Sequence, residues 1–497
     1  MRYVLFFVCI IAASASLFAQ KKGTGLIYNP STLRGVPYKA KLTSQSYKSM
    51  PAAVSLENFC PEPGDQGPYG TCVAFASAYH LRTILYNKVM SEAGQLRNKS
   101  LVFSPSYVYE QIKEEGDADC QGGSDPVMAF ELMKNLGAAT TATCPYACGS
   151  NVSTDAMLEG LDFRIADYQI LYLPDETNES FKINAVKKAL SEGYPCLLGF
   201  IVAESFYQTG PVWREQASDD GPTGKHGRHA MCIVGYNDQK EGGAFRIMNS
   251  WGNAWADKGF VWVPYADFAK YALLAIQAYP APLEETPVPA PSPAPPQPTP
   301  VDPVLDVILS GEASFQLNTG EIMSANRVLT RNLVVEEEVP VTGESLVAYR
   351  MDQAYGSGTR FRFFITTNSE SYIYAFATDL SGKVNKILPF ADNMSPHIGA
   401  NSQVAFPSET KIVKMDSNPG TDYMLILFAQ EPLNAEVMLQ EMNKTRAGLS
   451  SKINAALGNK LIAPANINYA IDKIGFEVKN TNHKGTVVPL MVEITHN

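Results

Sequence analysis

The sequence predicts an α+β protein built as two units, and three observations carry that reading. Helical periodicity marks the chain from Cys72 onward, whereas the runs between Pro195 and Val263 are short and strand-like. A stretch at 280–303 with 11 prolines in 24 residues then interrupts the chain. All eight cysteines precede that stretch and none follows it, which separates a unit at 50–281 from one at 305–497. The size agrees: 497 residues exceed what one ordinary core organises. With 45% hydrophobic and only 18% charged residues, global disorder is excluded. A net charge of −10 and the lack of any Lys/Arg run beyond two argue against a nucleic-acid partner.

Met1-Arg2, an apolar run from Tyr3 to Ala13 and a small-residue exit read as a secretory signal peptide, residues 1–19, with cleavage after Ala15 or Ala19. The run is too short to span a bilayer, and no later segment is long and apolar enough. The expected product is exported, periplasmic or extracellular, where disulfides persist. Residues 20–49 read as an N-terminal arm or short pro-segment. Within 50–281, helices are expected at Cys72–Met90, Pro126–Leu136 and Ile183–Ser191. Strands are expected at Pro195–Val202, Ala230–Tyr236, Phe245–Met248 and Gly259–Val263. Helices come first and strands later, so a helical half faces a sheet half. The linker at 282–304 favours polyproline II, which at about 3.1 Å per residue could hold the units up to roughly 70 Å apart. Beyond it, Phe361–Thr366, Tyr372–Thr378, Lys411–Met415, Tyr423–Ala429 and Val487–Ile494 read as strands. Asp379–Lys383 and Asn418–Gly420 read as turns, and Asn434–Thr445 as a helix.

Three segments carry chemistry. In Asp65–Phe75, Cys72 opens a helix after a Gly-bearing turn, where backbone amides and the helix dipole favour thiolate. Gln66, six residues earlier, can return across that turn and offer an N–H beside the sulfur. His229 starts a strand, a rigid mount for an imidazole. Asn249-Ser250-Trp251-Gly252 places an amide at a strand end under an indole. Alone, each segment has a bland reading as core or turn; in the order Cys, His, Asn they fit a nucleophile, a base and its orienter in acyl transfer.

From Pro51 to Pro280 the chain resembles the papain-like cysteine peptidases. The resemblance rests on Gln-Gly-x-x-Gly-x-Cys-x-Ala-Phe at 66–75, Cys120-Gln121-Gly122-Gly123 and Pro145-Tyr146. It rests equally on the block from His229 to Tyr236 and on Asn-Ser-Trp-Gly-x-x-Trp-x-x-x-Gly from Asn249. It implies a two-lobed fold, a helical lobe against a β-barrel-like lobe, with a cleft between them and endopeptidase chemistry on peptide or protein substrates. By that resemblance Cys72 is the nucleophile, His229 the base and then acid, and Asn249 its orienter. Gln66 and the Cys72 N–H form the oxyanion hole, and Trp251 shields the His–Asn hydrogen bond. Gly122 and Gly123 bind substrate backbone; Ser124, Asp125, Gly199 and Ala230 shape the main side-chain pocket. No metal or cofactor is implied. A catalytically silent peptide-binding scaffold, and a transpeptidase or deamidase on the same triad, are the alternatives.

The departures from the family are specific. Tyr69 stands where the family usually has a Cys, so Cys120 needs another partner. Val73 replaces the usual Trp after the nucleophile, Thr71 a small residue before it, and Arg228 the common acidic residue before the base. A polar insertion, Ser218 to Arg228, lengthens the spacing between Cys72 and His229. About 30 residues between leader and Pro51 leave no room for the family's long inhibitory pro-segment, so zymogen control is not expected. Cys60, Cys120, Cys144 and Cys148 are disulfide candidates in loops, while Cys196 and Cys232 sit in strand patterns as buried thiols. His80, His226, His397, His483 and His496 read as structural or solvated. The segment Leu346–Pro432 resembles an uncharacterised bacterial β-sandwich-type domain often appended to exported or signalling enzymes. With the spacer extended, it is expected to be separable from the chemistry and to tether substrate or surface.

Overall fold

The computed structural model describes residues 22–94, 101–281, 307–329, 347–379, 383–444, 448–479 and 484–497. The leader, the proline-rich linker and His483 lie outside the described residues.

The first core is organised by one central helix at 72–92. Its residues Val73, Ala74, Ala78, Leu81, Ile84 and Leu85 are completely buried. Small and branched apolar residues on all sides let it run through the domain instead of over its surface. The middle, Phe75–Arg82, widens into a π-helix before α-helical bonding resumes at Thr83–Glu92. Two further helices start where capping chemistry dictates. Ser104 accepts from the Tyr107 amide ahead of Pro105–Ile112, and Asp125 from the Val127 amide ahead of Pro126–Asn135, each with proline in the first turn. Glu179–Ser191 begins four residues before the expected helix because Asn178 caps it.

The helical half packs against a seven-stranded sheet ordered Ile165–Tyr172, Ala272–Pro280, Cys196–Val202, Gly227–Asn237, Ala244–Met248 and Phe260–Pro264, with Ala53–Ser55 beside Gly227–Asn237. Every pairing in it is antiparallel. The four expected strands are consecutive neighbours in it, from Cys196–Val202 to the edge strand Phe260–Pro264. Of the three that sequence reading missed, Ala53–Ser55 is only three residues long, and Ile165–Tyr172 and Ala272–Pro280 are buried along most of their length and so lack the alternation that announces a half-exposed strand.

The C-terminal unit is a sandwich of a six-stranded and a seven-stranded sheet. Phe315, Phe363 and Ile365 from one sheet meet Ile426, Phe428 and Leu490 from the other in a shared core. Ala435–Lys444 and Leu449–Leu457 cover the outer face of the seven-stranded sheet through Met438, Met442 and Ile453. The expected strand at Lys411–Met415 shrinks to Val413–Lys414, since Arg360 and Phe361 alone pair with it.

The extended-spacer expectation is overturned. The two units share a packed interface, with the arm between them. Lys39 Nζ lies 2.7 Å from Glu192, and Lys188 Nζ 3.3 Å from the same carboxylate. Lys188 also donates to the carbonyls of Ala400 and Asn401. Tyr194 Oη donates to Glu370, Gln169 Nε2 to Ser395, and the Tyr279 ring meets His397 edge-on at 4.1 Å. The linker's composition sets how far the units can separate; whether they dock is decided by complementary surfaces, which no composition encodes.

Candidate active site

Cys72 is the first residue of the central helix, following Thr71, whose side chain makes no capping bond. The helix therefore presents free N–H groups at its start, and the amides of Cys72 and Val73 turn toward the sulfur. The amide of Ala230 approaches Cys72 Sγ at 3.4 Å, which brings the strand Gly227–Asn237 against the thiol. His229, one residue earlier, is fully buried. Its Nε2 lies 2.7 Å from Asn249 Oδ1, so Nε2 carries the proton and Nδ1 is left without a hydrogen-bond partner. Trp251 stacks on the His229 ring at 4.8 Å and keeps water from that bond. Gln66 Oε1 accepts from Ser250 Oγ at 2.5 Å, which orients the amide so that Nε2 faces the cleft. Five expected residues, Cys72, His229, Asn249, Gln66 and Trp251, are thus brought together from segments that are up to 185 residues apart in the chain.

The cleft is filled by the protein's own arm, within the segment read as an N-terminal arm or short pro-segment. Gln66 Nε2 donates to the Gly23 carbonyl at 3.2 Å, and so does Trp251 Nε1, also at 3.2 Å. Four backbone bonds hold the segment: Gly23 N to Gly67 O, Leu26 N to Arg228 O, Ile27 N to Ser124 O, and Ser124 N to Gly25 O. A Cβ on Gly25 would stand 2.1 Å from the Gly70 carbonyl oxygen, so only glycine passes there. Opposite it, Gly123 has φ +78, and a Cβ would come within 2.4 Å of Gly25 O. Leu26 is 4% exposed, and its side chain reaches the bare face of Gly199 beside Leu274. The arm needs about six residues to fill the cleft, so its shortness does not prevent coverage. The signal was Gly23-Thr24-Gly25 followed by Leu26, a small-residue step before an apolar plug.

Other expected residues fall as follows. Gly123 and Ser124 line the cleft against the arm, while the Gly122 amide donates to Asp117. Asp125 caps Pro126–Asn135 and accepts from the Asn29 amide and Thr32 Oγ1, so it holds the arm and does not line the pocket at Gly199. Cys120 pairs with Cys148, which answers the missing partner. Cys60 and Cys144 are free thiols, against expectation, as are the buried Cys196 and Cys232. Of the histidines, His80 is buried without a hydrogen bond and His397 pairs with Glu370 at the interface. His226 bonds the Gly221 carbonyl within the polar insertion, and His496 lies near Asp416 and Asp422.

Burial shifts both groups toward their neutral forms. It pushes the Cys72 thiol up to about 11, against the lowering effect of the Ala230, Gly25, Val73 and Cys72 amides. The same burial pulls His229 down to about 4, opposed by the Asn249 hydrogen bond. With the arm in place, thiol and imidazole are both neutral near pH 7, and the reactive ion pair is suppressed.

Residues 56–277 match the family model described as Papain family cysteine protease, and residues 354–432 match a domain of unknown function (DUF4384). An uncharacterized peptidase C1-like protein of Acanthamoeba polyphaga mimivirus is 25% identical over 210 residues, covering 40% of this chain and 63% of that protein. Cathepsin K of Mus musculus is 26% identical over 207 residues, covering 39% and 54%. Vignain of Vigna mungo is 26% identical over 217 residues, covering 43% and 54%. The chain thus spans less than two thirds of the length of these curated relatives. Among solved structures, xylellain, a cysteine protease from Xylella fastidiosa, aligns with TM-score 0.43 and 21% identity over 53% of this chain and 97% of that one. The family match falls on the domain in which Cys72, His229 and Asn249 meet between a helical and a sheet half. Over residues 56–277 the chain is similar to the papain family of cysteine proteases.

Proposed function

We propose that this protein hydrolyses peptide bonds in exported proteins or peptides, and that it does so only after residues 22–28 leave the cleft. With the arm gone, water and substrate reach Cys72 and His229. The proton moves from Cys72 Sγ to His229 Nδ1, and Asn249 Oδ1 holds the imidazolium through Nε2. The thiolate attacks the scissile carbonyl carbon. The oxyanion takes hydrogen bonds from Gln66 Nε2 and the Cys72 amide, the donors that the Gly23 carbonyl engages in part in the closed form. His229 returns its proton to the leaving amine as the C–N bond breaks, leaving a thioester. Water then attacks that thioester with His229 as base, and Cys72 is regenerated as the acid product leaves.

The observation that carries the reading is the 2.7 Å His229–Asn249 bond, which leaves Nδ1 unpartnered in a site where the neighbouring Ala230 amide contacts the Cys72 sulfur. The pocket at Gly199, which takes Leu26 in the closed form, supports a preference for aliphatic side chains at that subsite. Substrate backbone would run along Gly123 and Ser124, where the arm's backbone is held. Export is supported by the leader-like sequence at 1–19 and by the Cys120–Cys148 disulfide. No described helix is long and apolar enough to cross a membrane.

The test is a peptide library read by mass spectrometry at several pH values, with Cys72→Ala as the blank. Hydrolysis products lost in Cys72→Ala, with aliphatic residues enriched at one position near the cut, are expected. Products carrying a transferred peptide, or deamidated glutamine without cleavage, would replace hydrolysis by another acyl transfer.

A further inference from the structure

The arm does not end at the cleft. After the short helix Pro30–Gly35 it runs between the two units, and Tyr38 pairs with both at once. On the peptidase side, Lys39 N donates to Ile170 O and Ile170 N to Pro37 O. On the other side, Tyr38 N donates to Asn393 O at 2.8 Å and Ser395 N to Tyr38 O at 3.0 Å. Four residues on, Leu42 lies opposite Val404 in antiparallel register, with Thr43 N to Gln403 O at 2.8 Å. Ser402–Phe406 is the edge strand of the six-stranded sheet, so the arm is added to an otherwise open edge. Thr43 Oγ1 bonds Gln403 Oε1, Gln403 N bonds Ser46 Oγ, and Ser44 bonds Glu409 through both its amide and its hydroxyl. Ala40 and Leu42 belong to the core of the C-terminal unit, whereas Leu26 and Leu33 belong to that of the peptidase.

One continuous segment thus has its leading end in the active-site cleft and its trailing end built into the C-terminal domain. We propose that the C-terminal domain is the latch of this peptidase: by holding Tyr38 at Asn393–Ser395 and Leu42–Ser46 on its edge strand, it keeps residues 22–28 at high effective concentration over Cys72. The physical argument is one of tethering. Four backbone bonds, the Gln66 and Trp251 bonds to the Gly23 carbonyl, the Lys22–Asp65 ion pair and one leucine side chain hold residues 22–28, a small local unit that can open without global unfolding. Fixing its other end 10 residues away restricts the distance it can drift and speeds its return. Undocking of the domain or loss of the edge-strand pairing weakens that restraint and raises the open fraction, while the peptidase's own bonds to Asn29, Thr32, Pro37 and Lys39 remain. The proposal rests on the peptidase reading for its biological meaning, but its test does not.

The test uses the full chain and the alkylation of Cys72 by iodoacetamide, read by peptide mass mapping, which requires an accessible thiol and no turnover. Leu42 and Val404 form a non-hydrogen-bonded antiparallel pair, the close kind that a disulfide can bridge. In a Leu42→Cys, Val404→Cys double variant, the oxidised protein is expected to label at Cys72 about tenfold more slowly than the same protein reduced and then freed of reductant. The parent chain treated identically controls for Cys120–Cys148. As a second variant, Thr43→Pro removes the amide and hydroxyl that bond Gln403 at a residue whose φ of −70 already suits proline. It is expected to label about tenfold faster than the parent, with the cleft residues unchanged. Equal rates in the oxidised and reduced double variant, together with a parent-like rate in Thr43→Pro, would overturn the latch. If labelling responds as expected while no peptide is hydrolysed, the latch stands and the peptidase reading falls.

Discussion

Truncating Leu26 to alanine is the sharpest probe of the closed state. Leu26 is 4% exposed and fills the space that a side chain on Gly199 would otherwise take. Leucine-to-alanine changes at buried sites cost about 2–5 kcal/mol. The low end applies here, because the vacated pocket opens onto the cleft and can take up water once the arm shifts. About 2 kcal/mol, at 1.4 kcal/mol per factor of ten, raises the open fraction roughly 30-fold. When opening and closing are fast compared with alkylation, the rate of Cys72 labelling follows that fraction. Leu26→Ala is therefore expected to label at Cys72 about 30-fold faster than the parent, while global thermal unfolding changes little, since the residue belongs to a local unit. The assay is a time course of carboxamidomethylation at neutral pH with mass mapping of the Cys72 peptide. A rate within about twofold of the parent would refute the argument, because it would mean that the leucine does not hold the arm. A matching fall in thermal stability would refute the locality of the arm.

Further outcomes are expected. With the arm in place, the thiol raised to about 11 and the imidazole lowered to about 4 are both neutral across roughly pH 5 to 9, so parent labelling stays slow there and climbs only as pH approaches the thiol value. Leu26→Ala should run about 30-fold above the parent at each pH in that range, because both label through the same open form; profiles of different shape would refute the opening argument. In the arm-released enzyme, Gln66→Ala is expected to lower kcat by about 10²–10³ with KM little changed; a near-normal kcat would mean that another donor meets the oxyanion. At the interface, Glu192 faces two lysines with every partner about 95% buried, so Glu192→Gln strands two ammoniums and Lys39→Met only one carboxylate contact. Glu192→Gln is expected to destabilise by about 3–5 kcal/mol and by more than Lys39→Met, checked by denaturant unfolding; the reverse order would show that the ion pairs are not what the interface depends on.

Much of the peptidase unit was legible in the sequence because its determinants are local. The helix expected from Pro126 starts there with Asp125 as its cap, and the Gly-bearing turn ahead of Cys72 announces a thiol at a helix N-terminus, whereas the starts at Pro105 and Glu179 were missed although Ser104 and Asn178 cap them. The order of Cys72, His229 and Asn249, with Gln66 ahead of them, named the candidate residues before any distance was known. Strands that are buried on both faces, Ile165–Tyr172 and Ala272–Pro280, were not legible, because continuous apolar runs carry no period. Nor was the Cys120–Cys148 pairing separable from other pairings by spacing alone.

What the sequence determined by itself is the chemistry available: a thiol, an imidazole, two amides and an indole on mounts that local rules place on a helix start, a strand start and a strand end. Tertiary structure alone decided whether that chemistry is exposed. The Gly23-Thr24-Gly25 step shows no periodicity, and it becomes meaningful only when Gly70 and Gly123 close in from either side. The proline-rich linker permitted separation, but Lys188 bonds the carbonyls of Ala400 and Asn401, and Tyr194 bonds Glu370, across an interface between residues about 200 positions apart in the chain. Burial and edge-strand pairing depend on which surfaces meet after folding. They therefore set the protonation of Cys72 and the position of the arm in a way that neighbouring residues along the chain do not encode.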